Sequence, residues 1–171
     1  MDWTSPAPTG SVDGPMTGPD RPLLEGMLAW QRWTLLNICA GLSAEQLAQR
    51  PIPSSNLSLL GLVRHMAKVE RVWFRKRAAA VDIDHLHNFE ARDNTDFNVI
   101  VATDAADAIA QLEREQVAAA QAVAGLDFDM VIQHSGDMSL RMIHVHMIQE
   151  YARHNGHADL LRQSIDGQTG E

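Results

Sequence analysis

Four long stretches of this chain repeat their apolar residues every three or four positions, and none of comparable length alternates apolar with polar residues. That period is the signature of helices burying one face, so the chain is expected to be all-α, with one core assembled from helix faces. The first stretch opens at Asp20, a candidate cap, and places Leu23, Leu24, Met27, Trp30, Leu35 and Ile38 at helical spacing up to Gly41. A second runs from Ser58 to Arg77, with Leu59, Leu62, Val63, Met66, Val69 and Trp73 on its apolar face. The third, alanine-rich, runs from Asp104 to Ala124 and stops at Gly125; the fourth runs from Ser139 to Ile165, closed by Gly167. Four long helices around one core predict an antiparallel four-helix bundle of up-down-up-down order.

The segments between these stretches differ in kind. Residues 1–19 are rich in Pro, Gly, Ser and Thr and lack apolar period, so they read as a flexible N-terminal tail ahead of a single domain at 20–171. Ser43-Ala44-Glu45-Gln46 has the form of a capping box opening a short helical turn, with Pro51 and Pro53 breaking the chain after it. Val81 to Thr103 reads as a long loop with a short turn at Asn94-Thr95-Asp96, and a further turn is expected around Gly136.

Charge and cysteine content narrow the function classes. A net charge of -8 opposes attraction to phosphate backbones, so nucleic acid and anionic membranes are poor partners. No stretch approaches the roughly 18 consecutive apolar residues of a spanning helix. The lone Cys39 excludes an intrachain disulfide, reads as a small core residue, and fits a cytoplasmic setting.

The fourth segment carries the chemistry. At about 100° per residue, Ile143, Met147, Glu150, His154, Ala158 and Leu161 fall on one stripe, which turns Glu150 and His154 toward the core. A carboxylate taken out of water without a partner costs several kcal/mol. A divalent metal compensates it, because imidazole and carboxylate both ligate Zn²⁺ and residues four apart on a helix reach one ion. His65, at the edge of the second segment's apolar stripe, is the expected third ligand from a facing helix. Three such ligands leave a coordination position open for water or substrate. The alternative is a hydrogen-bonded His–Glu pair with His65 an ordinary core histidine. His157 stands one turn beyond His154, either as a fourth ligand or at the stripe's edge. His144 and His146 are expected at the surface or the interhelical rim, and His85 and His87 in the loop, near the site mouth or in solvent. Arg153 and Asp159 flank the inward face as substrate anchors or surface ion pairs.

Two motifs, LSLLGLVRHMAKVERVWFR and HMIQEYARHNGHADLLRQSIDGQTG, resemble the DinB-like superfamily, in its actinobacterial mini-circle protein branch, over about Arg21 to Gly170. The resemblance implies a four-helix bundle, commonly a homodimer, with a metal held at the positions of His65, Glu150 and His154. A glutamate at the second position is similar to the mycothiol-dependent maleylpyruvate isomerase, whose zinc site uses two histidines and a glutamate; the resemblance covers the bundle and is not expected to extend to that enzyme's additional C-terminal domain or to its isomerase reaction. The resemblance therefore implies a metalloenzyme using a low-molecular-weight thiol such as mycothiol, an S-transferase acting on small electrophiles. Zn is the first choice of metal, with Ni or Fe fitting the same donors. A metal-dependent hydrolase and a non-catalytic, stress-associated dimeric bundle are the alternatives.

Overall fold

The structure is a computed structural model that describes residues 3–10, 12–87, 94–133 and 137–170. It is predominantly helical. The first long helix, α1 (Asp20–Cys39), starts one residue earlier in the chain than a side-chain cap would set it: Pro19 is the cap position, and Asp20 Oδ1 accepts from the Arg21 amide at 2.9 Å. Pro suits such a position because it has no N–H to leave unpaired. The capping box forms as the sequence predicts, with the Gln46 amide donating to Ser43 Oγ and the Ser43 amide to Gln46 Oε1, and it opens the short α2 (Ala44–Ala48).

Helix α3 (Leu59–Glu70) is capped by Ser58 and continues from Arg71 to Ala78 in wider π-helical turns. The Ala79 amide donates to the Phe74 carbonyl, five residues back, at the end of this stretch. The four-residue α4 (Thr95–Asn98) is the turn expected at Asn94-Thr95-Asp96, entered through Asn94 in the left-handed region at φ 54°. Helix α5 (Ala105–Val123) and helix α6 (Leu140–Asp166) complete the long set, α6 being capped by Ser139 and ended by Gly167 at φ 80°. Before α6, β1 (Val131–Gln133) pairs antiparallel with β2 (Asp137–Ser139), two strands too short to show alternation in the sequence. The turn expected at Gly136 lies outside the described residues, as do positions 88–93 of the long loop.

The directions of the helices depart from the expected up-down-up-down order. Along α1 and α6 the paired residues advance together, Asp20 with Arg141, Gln31 with Asn155 and Ile38 with Arg162, so these helices run parallel. Helices α3 and α5 are likewise parallel: Arg64 and Asp107 border one cavity, Arg71 pairs with Glu115, and Phe74 and Ala120 border another cavity. Between α3 and α6 the pairs run in opposite senses, His65 with His154, Glu70 with Tyr151 and Phe74 with His144. The physical reason is the connection over residues 79–104, long enough to return the chain to the end where α3 began. Short loops alone enforce antiparallel neighbours.

The core is built from the inward faces of these helices, including Leu35, Leu62, Met66, Leu112, Met147 and Leu161, all buried. The described part of residues 3–19 is bonded to this body: the Ser5 amide donates to the Leu42 carbonyl and the Gly41 amide to the Ser5 carbonyl, each at 2.8 Å. Gly14 lies so close to Gly26 that a Cβ on it would stand 2.8 Å from the Gly26 Cα. Among the described residues, no helix is long and apolar enough to cross a membrane.

Candidate metal centre

The antiparallel crossing of α3 and α6 decides what meets what. His65 sits in the second turn of α3, fixed by the Ser58 cap, and Glu150 and His154 are one turn apart on α6. The crossing brings the His65 and His154 rings to 4.8 Å between centroids, edge to face. One potential ligand atom from each of His65, Glu150 and His154 lies within 4.8 Å of the other two, the one such group among the described residues. Donors about 2.0–2.1 Å from a tetrahedral ion stand roughly 3.4 Å apart, so closing on an ion takes about an ångström of side-chain adjustment.

Glu150 Oε2 and His154 Nε2 are 3.6 Å apart, which is the spacing of two ligands of one ion and too long for a hydrogen bond. That separation disfavours the alternative of a hydrogen-bonded pair. Glu150 also makes a 3.4 Å ion pair with the exposed Arg153, and Asp159 Oδ1 accepts from the Gly170 amide, so both flanking charges serve local contacts. Burial pushes the pKa of His154 down to about 3, helped by the neighbouring His65 and His157. The imidazole is therefore neutral, the form that binds a metal. His154 Nδ1 and His157 Nδ1 are buried without a hydrogen-bond partner, and such orphaned atoms cost about 1–3 kcal/mol each. The donor types and their spacing fit a divalent cation.

The remaining histidines divide sharply. His157 is 5.5 Å from His154 between ring centroids and outside the ligand group. His144, expected at the surface or rim, is instead buried: Phe74 and Phe128 pack edge-on against it, and its Nδ1 lies 3.0 Å from the Leu140 carbonyl. Phe128 arrives from the segment before β1, which helical periodicity cannot foresee. His146 is half-buried on Trp73, at the rim. His87 lies 3.4 Å from Arg64, with its pKa pushed down to about 4 by burial and by that guanidinium. Burial pushes the Cys39 thiol up to about 12, so it is an inert core group.

Sequence reasoning missed Asp96 and Phe97. Asp96, on α4, is fully buried; its Oδ2 lies 2.7 Å from His65 Nδ1 and also receives Lys68. Burial works to raise the Asp96 pKa, but the hydrogen bonds from His65 and Lys68 outweigh it and hold the group well below the usual carboxylate range. The Phe97 ring lies 4.8 Å from the His65 ring, and Gly61 leaves room for it, since a Cβ there would stand 3.2 Å from the Phe97 ring. The sequence offered only an Asn-Thr-Asp turn, some thirty residues from His65 along the chain.

Compared with known families, the chain matches the model for the mycothiol S-transferases over residues 23–167. The chain belongs to the mycothiol S-transferase family. This is a DinB-like family, in keeping with the resemblance carried by the two motifs. No curated protein and no solved structure matches the chain. The residues matched to the mycothiol S-transferase family take in all four long helices but the first three residues of α1, and with them His65, Glu150 and His154.

Proposed function

We propose that this protein is a metal-dependent thiol S-transferase, joining mycothiol or a similar low-molecular-weight thiol to a small electrophile. The family match supports the transfer chemistry, and the convergence of His65, Glu150 and His154 supports the metal. In this reading the four long helices form a bundle of up-down-down-up order, and the three ligands stand on its α3–α6 seam. A bound divalent cation, Zn first and Ni or Fe by the same donors, supplies a Lewis acid that keeps a thiol in its thiolate form at neutral pH.

The chain's own residues do the rest. His65 and His154 would offer the ion neutral nitrogens and Glu150 one negative charge, so the loaded site would carry a net charge of about +1, which favours a thiolate over a thiol. The flanking helices hold these groups apart from bulk water, with His154 buried and Glu150 and His65 half-buried. Transfer then forms a bond between the thiol sulfur and the electrophilic carbon, breaks the bond to the leaving group, and releases the thiol proton to solvent. A homodimer belongs to this reading through the resemblance to DinB-like proteins, and a cytoplasmic setting through the need for a reduced thiol.

The observation that carries the proposal is the 3.6 Å separation of Glu150 and His154 facing His65 across the seam. The test is conjugation of mycothiol to an activated haloaromatic by the metal-loaded protein. Turnover that needs both metal and thiol, and that disappears in Glu150→Gln, supports the reading; turnover equal without thiol overturns it in favour of hydrolysis.

A further inference from the structure

We propose that Asp96 is a positioning residue for the metal, and that α4 is the device that delivers it. The inference rests on the metal reading above. A histidine can present either ring nitrogen to an ion, and the nitrogen it presents is set by the hydrogen bond that the other one makes. Here His65 Nδ1 lies 2.7 Å from Asp96 Oδ2, so Nδ1–H donates to the carboxylate and Nε2 is left as the free donor. A carboxylate behind a ligating imidazole fixes the ring's orientation and raises its basicity.

Three features make this more than a chance ion pair. Asp96 is fully buried on a four-residue helix, a costly place for a carboxylate, and its Oδ2 meets both Lys68 and His65 there. The next residue, Phe97, covers the face of the same His65 ring, so α4 holds the imidazole by both edge and face. The approach of α4 to α3 depends on Gly61, where a side chain would crowd both the Phe97 ring and the Ser58 hydroxyl at 3.2 Å. A four-residue helix inside a long connection thus has a function: it preorganises one ligand before the ion arrives.

The experiment uses the full chain, stripped of metal and titrated with Co²⁺, read by the visible absorption of the bound ion. Wild type is expected to bind about one ion per chain, Asp96→Asn to bind about 10-fold more weakly, and Asp96→Ala about 100-fold more weakly, the range lost with an outer partner of a ligating histidine. A purely structural role for Asp96 would lower thermal stability and leave the Co²⁺ affinity of the folded protein unchanged. Asp96→Asn and Asp96→Ala binding as tightly as wild type overturns the proposal. A second readout needs neither metal nor variant: the ¹⁵N shifts of His65 in the metal-free wild type should report the Nδ1–H tautomer, and the Nε2–H tautomer would overturn it. Failure of wild type to bind Co²⁺ at all strikes the metal reading, whereas the tautomer result still decides the role of Asp96 toward His65.

Discussion

Two polar clusters lie within two turns of each other on the α3–α6 seam, and they are satisfied to different degrees. In the first, Arg32 donates through Nε and Nη2 to the two oxygens of the fully buried Glu70 at 2.7 Å each, the Tyr151 hydroxyl donates to Glu70 Oε1 at 2.8 Å, and Gln116 donates to Tyr151. A closed network of this kind holds the helices in register. In the second, potential ligand atoms of His65, Glu150 and His154 converge without a hydrogen bond between any two of them, the Glu150 and His154 atoms standing 3.6 Å apart. Side chains that satisfy each other are structural, and side chains that converge unsatisfied await something else.

This contrast predicts opposite responses to the same chemical change. Glu70→Gln leaves Arg32 charged and inside the fold beside a neutral amide, so it should cost about 3 kcal/mol of stability by urea unfolding. Its metal affinity, measured on the fraction that remains folded, should match wild type. Glu150→Gln should change the stability of the metal-free protein by under about 1 kcal/mol, because its ion pair with Arg153 is to an exposed side chain and His154, 3.6 Å away, is neutral. The same variant should weaken metal binding more than about 100-fold, beyond the loss expected from an outer partner alone. If instead Glu150→Gln destabilises the metal-free protein as much as Glu70→Gln does, the two clusters are alike and the distinction fails.

Smaller effects sharpen the boundary between the clusters. Tyr151→Phe removes one donor from Glu70 and one acceptor from Gln116, and should cost about 1 kcal/mol without altering metal affinity, although Tyr151 adjoins Glu150 in the chain. The smallest expected effect is at His144, whose pKa is pushed below the ordinary value by burial, against the pull of the Leu140 carbonyl. As pH falls below about 6.5 the unfolded chain takes up a proton that folded His144 resists, so stability falls with pH through that window. His144→Leu should make the fall shallower, by less than about 1.4 kcal/mol per pH unit, in urea unfolding at pH 7.5 and 5.5.

The helices were legible in the sequence because each buries a continuous stripe, and the meeting of His65, Glu150 and His154 was legible because polar residues on such stripes demand a partner. The order of the helices was not, because the parallel α3–α5 pairing comes from a 79–104 connection whose path leaves no periodic signal. Asp96 was hidden for the same reason: it reaches His65 only after that connection folds back on α3. The burial of His144 depends on Phe128, which approaches from a segment with no periodicity, and the widened turns after Glu70 have no sequence mark that amphipathic reading detects. Local pattern reports which face of an element is inward; it does not report what a distant loop will set against that face.

The most direct test of the central claim is the metal content per chain of tag-free protein after reconstitution, wild type beside His154→Ala. The account predicts close to one divalent ion per wild-type chain and little in the variant, with both folded. Equal metal in the two proteins, or none in either, would contradict it and leave His65, Glu150 and His154 as core side chains without a shared ion.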